Sequence, residues 1–298
     1  MKKVRTYYDL PAGTRSDIAG QLAAQVERLR RRLESVRHTF AVLSGKGGVG
    51  KSLVTANLAA ALADRGFAVG VVDADLNGPS MAKLLGAGRE PLEVVEDAVR
   101  PALGAAGVKV MSMDLLLEGE EAPVNWTGPL QESFIWRGTL EANALREFLS
   151  DTEWGELDYL ILDLPPGTDR VIPVHGLLAD LGGVVLVTLP SELSRFIVSK
   201  SLTMSRELGI PVIGYVENMS GYVCPNCERV GPLFESDGSS FELEKGVPQL
   251  AEIPFDPIFG RETESGRPGV LACPESRSAR ALQALADRVL THFEGKSP

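Results

Sequence analysis

A glycine-rich segment between an apolar run and a helical pattern constrains the fold of this chain more than any other feature. Residues 45–52 read GKGGVGKS, which matches the pattern G-x-x-x-x-G-K-S/T of a loop that cradles phosphates. Residues 40–44 before it form an apolar run that predicts a buried strand, and residues 53–64 after it have a helical period. This order of strand, glycine-rich turn and helix predicts an α/β sheet with a phosphate site at the end of the strand.

Further runs that are apolar nearly throughout alternate with helical patterns along the chain. Such strands are buried on both faces of a sheet, and the helices between them supply right-handed crossovers. We therefore predict a doubly wound α/β domain with a mostly parallel sheet. Segment 86–134 has weaker periodicity, which indicates a hairpin or a loop excursion. The predicted strands are 40–44, 68–73, 108–113, 159–164, 183–189 and 212–217, and the predicted helices include 53–64, 140–149, 192–208 and 276–293.

The two parts of the chain differ in charge. Lys and Arg outnumber Asp and Glu in residues 1–40, although the whole chain has a formal net charge of −10. From 16 to 37 apolar residues recur at intervals of three and four, which predicts an amphipathic helix with Ser16 as its N-cap. We divide the chain into a basic N-terminal arm and helix, residues 1–37, and a nucleotide-binding domain, residues 38–298.

Charge, hydropathy and cysteine content also limit the partners and the compartment. The acidic body argues against a nucleic-acid partner. Because no apolar run reaches the roughly 18 residues that cross a bilayer, we expect no membrane partner. Three cysteines cannot build a disulfide framework and suit a reducing compartment. With no secretory signal in residues 1–20, we expect a cytoplasmic protein.

The glycine-rich loop carries the groups that a nucleoside triphosphate needs. Glycine allows positive φ, so consecutive backbone N–H groups can converge on phosphate oxygens at the start of a helix. We expect Lys51 to lie along the β and γ phosphates and the Ser52 hydroxyl to ligate Mg²⁺. The predicted nucleotide-binding residues of the loop are Gly45, Lys46, Gly47, Gly48, Val49, Gly50, Lys51 and Ser52.

Other polar residues follow predicted strands at the edge where open α/β sheets bind ligands. Asp163 ends an apolar run and is predicted to hold Mg²⁺ through water, with Asp73 supporting the same ion. Gly167 could donate its N–H to the γ phosphate. The amide of Asn218 could read the adenine edge, or it could merely turn the chain.

Cys224 and Cys227 form a Cys-x-x-Cys motif that offers two thiolates on one short turn. A [4Fe-4S] cluster or a structural zinc ion normally takes four ligands. Cys273 has no partner at metal-binding spacing, so we expect an incidental thiol there and half a site per chain. A two-fold homodimer would bring two such pairs together. Structural zinc and a redox dithiol stay open as alternatives for the pair.

Several segments together make the chain similar to the Mrp/ApbC proteins, which are P-loop ATPases that carry iron–sulfur clusters. The resemblance covers residues 38–293 and implies that Cys224 and Cys227 hold the cluster, which passes from cluster donors to apo-proteins. The chain departs from the family pattern after the PPGT segment, where Asp169 follows Thr168 without the usual small residue between them. The matching segments are GKGGVGKS at 45–52, DADLNGPS at 73–80, WGELDYLILDLPPGT at 154–168, ENMSGYVCPNC at 217–227, IPFDP at 253–257 and GRPGV at 266–270.

A second lysine in the loop indicates a subclass. Lys46 resembles the lysine that MinD, ParA and the nitrogenase iron protein extend across a dimer interface to the partner's phosphates. By the same analogy, Asp75 is predicted to orient or deprotonate the attacking water, because a carboxylate beside the γ phosphate can accept a proton. A helix-capping role for Asp75 is the alternative.

We therefore expect a homodimeric, ATP-hydrolysing iron–sulfur cluster carrier. One alternative is a spatial regulator like MinD or ParA, which would need no cysteine pair. The other is an ATPase whose cysteines bind zinc as a staple between two subunits.

Overall fold

The computed structural model describes residues 18–88, 92–95, 98–116, 133–178, 180–233 and 246–295. The predicted N-cap Ser16 and the arm before it lie outside these residues. The strands are β1 (Val36–Ser44), β2 (Val69–Asp73), β3 (Val94–Val95), β4 (Ala98–Val99), β5 (Ala102–Leu103), β6 (Lys109–Met111), β7 (Leu157–Asp163), β8 (Gly183–Thr188), β9 (Val212–Val223), β10 (Val230–Gly231) and β11 (Gln249–Phe255). The helices are α1 (Ile18–Leu33), α2 (Lys51–Asp64), α3 (Met81–Leu84), α4 (Ser133–Asp151), α5 (Val171–Leu177), α6 (Glu192–Glu207), α7 (Pro257–Glu264), α8 (Gly269–Ala272) and α9 (Arg277–Glu294).

In the described residues, nine strands form one sheet, which confirms the predicted fold class. The strand order is β10-β9-β8-β1-β7-β2-β6-β5, with β11 also paired to β9. The strand pairs of this sheet are parallel except for β10 with β9 and β5 with β6, which are antiparallel. The carboxyl ends of β1, β2 and β7 therefore meet at one edge, which brings the predicted phosphate and carboxylate segments together.

Helices cover both faces of the sheet, and side chains alternate between them. Phe40 and Val42 of β1 belong to one hydrophobic cluster, with α2 and α9. Ala41 and Leu43 belong to the other, with α4 and α6. Burial on both faces explains why these strands read as continuous apolar runs. α1 packs on α4; no helix in the described part of the chain is long and apolar enough to span a membrane.

The structure corrects the ends of the predicted N-terminal helix and of the predicted strand 212–217, and it adds one strand. The N-terminal helix was predicted to reach residue 37, but α1 ends at Leu33 and β1 begins at Val36, because β1 pairs with β7 from that residue on. The proposed boundary at residue 37 thus falls inside β1. Strand 212–217 runs on to Val223, since β11 pairs along it as far as Tyr222. β11 itself was not predicted. The predicted hairpin in 86–134 corresponds to the antiparallel pair β3–β4.

Candidate nucleotide site and cysteine pair

Asp163, at the end of β7, is the centre of a buried cluster of polar groups. Lys51 Nζ lies 2.6 Å from Asp163 Oδ2, and the Ser52 hydroxyl donates to the same oxygen at 2.7 Å. The Thr55 hydroxyl donates to Oδ1 at 2.6 Å. The Lys51 side chain is only 6% exposed and Asp163 is fully buried. Thr55 is not part of the predicted site, although it lies one turn after Lys51 on the same face of α2.

The donors at this point fit a magnesium ion. Mg²⁺ prefers hard oxygen ligands and binds through one or two carboxylates together with substrate phosphates. The Ser52 hydroxyl and the Asp163 carboxylate supply such oxygens next to each other at the start of α2. Lys51 provides the positive charge that a triphosphate requires.

Asp73, at the end of β2, lies opposite Asp163 in the register of the sheet and is also buried. Burial, followed by the negative charge of Asp163, raises the pKa of Asp73 to about 7, while backbone hydrogen bonds and Lys51 oppose the shift. Its carboxylate accepts hydrogen bonds from the loop that follows β2. Its support of a metal ion stays a prediction. The donors to this carboxylate are the N–H groups of Asp75, Ser80 and Met81 and the hydroxyl of Ser112.

Lys46 and Asp75 lie on the two loops that border this cluster, and both are half-buried. Asp75 Oδ1 accepts a long hydrogen bond from the N–H of Gly78 at 3.3 Å. This turn contact is weak, so the carboxylate keeps most of its capacity to accept hydrogen bonds. The role of Lys46 across a subunit interface and the role of Asp75 toward water stay predictions.

Gly167 and Asn218 both contact the phosphate loop or its strand. The N–H of Gly167 donates to the carbonyl of Ser44 at 3.0 Å, so a hydrogen bond to a γ phosphate requires this contact to break. Asn218 Nδ2 donates to the carbonyl of Val49 at 2.8 Å. A methyl group at Gly50 would lie 2.3 Å from Nδ2 of Asn218. In this conformation Asn218 braces the loop from within β9, and its contact with adenine stays a prediction.

The cysteine pair lies on the turn between β9 and β10. The N–H of Cys224 donates to the carbonyl of Arg229 at 3.0 Å, and the N–H of Glu228 donates to the carbonyl of Cys224 at 2.8 Å. Hydrogen bonds from the N–H groups of Asn226 and Cys227 and from the Cys227 thiol lower the pKa of Cys224. Cys224 is half-buried and Cys227 is exposed. The turn therefore presents two thiols at the surface and favours the thiolate form of the first.

Cys273 lies closer to this pair than its position in the sequence indicated. It lines the same cavity of about 630 Å³ as Cys224, together with Arg277 and Arg280 at the start of α9. Burial, followed by the negative charges of Glu262 and Asp256, raises the pKa of Cys273. Across the described residues, however, no three His, Cys, Asp or Glu side chains are placed to hold one metal ion. The described part of one chain thus offers a pair of thiols without a third ligand.

Known proteins resemble this chain over most of its length. Residues 35–290 match the family model described as ParA, NUBPL iron-transfer P-loop NTPase. A Saccharolobus solfataricus protein named iron-sulfur cluster carrier protein is 38% identical over 276 residues, which cover 92% of this chain and 90% of that protein.

Solved structures show the same fold. A nucleotide-binding protein from Archaeoglobus fulgidus in complex with ADP is 38% identical, with a TM-score of 0.67 over 82% of this chain and 92% of that one. The cell division ATPase MinD of Pyrococcus furiosus is 27% identical, with a TM-score of 0.59 over 85% of this chain and 98% of that one. The match over residues 35–290 and the identity to these relatives show that this chain belongs to the NUBPL family of iron-transfer P-loop NTPases.

Proposed function

We propose that this protein is an ATP-binding and ATP-hydrolysing carrier that holds a [4Fe-4S] cluster between two copies of the chain and transfers it to apo-proteins. The observation that carries the proposal is the turn with half-buried Cys224 and exposed Cys227, whose two thiols would supply half of a four-thiolate site. A relative that shares most of its length with this chain is named an iron-sulfur cluster carrier protein. The proposed partners are a second copy, cluster donors and apo iron–sulfur proteins.

Two-fold symmetry completes the ligand set. In an isologous interface the same patch meets itself, so Cys224 and Cys227 of each copy would together provide four thiolates. An exposed turn suits this arrangement, because a cluster bound there is reachable by an acceptor protein. The lowered pKa of Cys224 favours ligation, since the thiolate is the form that binds the cluster.

Each residue of the nucleotide site has a distinct proposed role in ATP hydrolysis. Lys51 would contact the β and γ phosphates, and Ser52 and Asp163 would hold Mg²⁺, whose positive charge would offset that of the phosphates. Lys46 adds positive charge at the partner copy's phosphates, where the transition state spreads negative charge. Asp75 orients the attacking water or accepts its proton.

Strand β9 offers a physical route between the two sites. Asn218 holds the carbonyl of Val49 in the phosphate loop, and the same strand ends at Val223, next to Cys224. A movement of the loop on nucleotide binding would therefore act on the strand that leads into the cysteine turn. We propose that nucleotide state and cluster affinity are linked in this way.

Anaerobic reconstitution tests the proposal. Wild-type protein is expected to take up about four irons and four sulfides per dimer, as one [4Fe-4S] cluster requires. Cys224→Ala is expected to lose the cluster, and the matched control Cys273→Ala is expected to keep it. A colourless protein that contains only zinc would contradict the carrier function and favour a zinc staple. Cluster transfer to an apo-protein that is as fast in Lys51→Ala and Lys46→Ala as in wild type would contradict the coupling.

A further inference from the structure

Glu141 connects the two loops that follow β2 and β7. Its Oε1 accepts a hydrogen bond from Asn77 Nδ2 at 2.8 Å, and its Oε2 lies 2.9 Å from Arg170 Nη1. Asn77 belongs to the loop after β2, and Arg170 ends the loop after β7. One carboxylate on α4 thus holds both loops, each by its own oxygen.

These loops carry the groups proposed to act on the γ phosphate. Asp75 lies two residues before Asn77, and Gly167 lies three residues before Arg170. A shift of about 1 Å at such groups is enough to slow a reaction that depends on positioning. The contacts of Glu141 therefore bear on the distance between Asp75 and the Gly167 loop.

Helix α4 is a fixed support for this carboxylate. Leu145, Phe148 and Leu149 of α4 are buried in the core on that face of the sheet. Near the end of the helix, Asp151 lies 3.1 Å from Arg28 of α1. The Glu141 side chain is 14% exposed and that of Arg170 is 38% exposed, so solvent screens this ion pair in part.

The contact between Arg170 and Glu141 lies next to the place where the chain departs from the Mrp/ApbC pattern. Arg170 follows Asp169 and is the N-cap of α5. From that position its guanidinium reaches Glu141. The charged contact with α4 is thus made by a residue that directly follows the altered segment.

We infer that Glu141 is a positioning residue that sets the two loops for ATP hydrolysis through Asn77 and Arg170. The inference rests on the proposed ATPase activity. Phosphate binding belongs mainly to the loop 45–52, so loss of Glu141 should affect turnover more than affinity for ATP. Removal of a hydrogen bond to a charged group commonly costs about a tenfold factor or more, and we expect a fall in kcat of about that size.

The experiment compares MgATP hydrolysis by full-length wild type, Glu141→Ala and Glu141→Gln. Glu141→Ala is expected to lower kcat about tenfold and to change KM by less than about threefold. Glu141→Gln keeps one acceptor oxygen but loses the charge, so its kcat should lie between the two. The matched control is Glu147→Ala, which removes an exposed glutamate from the same helix and should leave kcat unchanged.

A second comparison separates positioning from a general structural role. If Glu141 acts through the two loops, Glu141→Ala should cause no further loss of kcat in an Asn77→Ala/Arg170→Ala background. The inference is overturned if kcat of both Glu141→Gln and Glu141→Ala equals or exceeds that of wild type. It is also overturned if Glu141→Ala lowers kcat in the Asn77→Ala/Arg170→Ala background as much as it does in wild type. Should the alanine variant not fold, the glutamine variant decides by the same criteria. A wild type without MgATP hydrolysis would instead overturn the proposed function, and the positioning role with it.

Discussion

Replacement of Lys51 by Met should destabilise the protein even when no nucleotide is present. In the described structure the Lys51 ammonium pairs with buried Asp163, and Asp73 lies opposite Asp163 in the sheet. Met has a similar length but no charge, so two buried carboxylates would keep their hydrogen-bond donors and lose their nearest cation. Lys51 thus has a structural role that is separate from its role toward phosphates.

The expected loss follows from the burial of the pair. Breaking a buried ion pair by removing one partner costs about 3–5 kcal/mol, and the hydrogen bonds from Ser52 and Thr55 to Asp163 place this case near about 3 kcal/mol. The pKa of Asp73 is already raised to about 7, and loss of Lys51 raises it further. In the folded variant Asp73 keeps its proton up to its raised pKa, whereas in the unfolded chain the same carboxyl group loses its proton above about pH 4. The free energy of unfolding of the variant therefore falls as the pH rises toward and past about 7.

Urea unfolding in EDTA, followed by the fluorescence of buried Trp154, measures the effect at about pH 6 and pH 8. The difference between wild type and Lys51→Met should be larger at the higher pH. Lys46→Met removes the same charge from the same loop at a half-buried site and should change the unfolding free energy by less than about 1 kcal/mol. The reasoning fails if Lys51→Met is as stable as Lys46→Met at about pH 8.

Three further results are expected. Gly50 has φ of 79°, and an added Cβ there would lie 2.3 Å from Asn218 Nδ2, so Gly50→Ala should lower the unfolding free energy by about 2 kcal/mol or more. Gly47→Ala, whose added Cβ would have its nearest neighbour at 3.9 Å, should cost less than about 1 kcal/mol, and urea titrations with equal losses would contradict this. Because the pKa of Cys224 is lowered and that of Cys273 is raised, iodoacetamide should alkylate Cys224 faster in the apo-protein near neutral pH, as measured by mass spectrometry, and the reverse order would be inconsistent. Thr55→Val leaves Asp163 Oδ1 without its donor and should cost about 2 kcal/mol, more than Thr55→Ser, in the same unfolding assay.

The parts of the site that could be predicted from the sequence are those made by local segments. The phosphate loop follows one strand and starts one helix, and Asp73 and Asp163 each end an apolar run. Parallel strands place their carboxyl ends together whatever the remaining fold is. The structure pairs Asp73 with Asp163 in register on the neighbouring strands β2 and β7.

The contacts that could not be predicted join segments far apart in the chain. Glu141 belongs to a helical pattern like any other, and its role depends on the close approach of Asn77 and Arg170. β11 was missed because its partner β9 lies some 30 residues earlier and no local signal joins them. Cys273 shares a cavity with Cys224 only because α9 packs beside the cysteine turn.

The central claim is that one cluster is held by two copies of the chain, and mixed dimers test it most directly. Wild-type chains and Cys224→Ala/Cys227→Ala chains are coexpressed in equal amounts, reconstituted anaerobically, and analysed for iron, sulfide and mass. If four thiolates from two copies hold each cluster, only wild-type pairs bind it, and cluster content falls to about one quarter of that of the pure wild type. A content of about one half would mean that each chain holds its own cluster, and it would contradict the account.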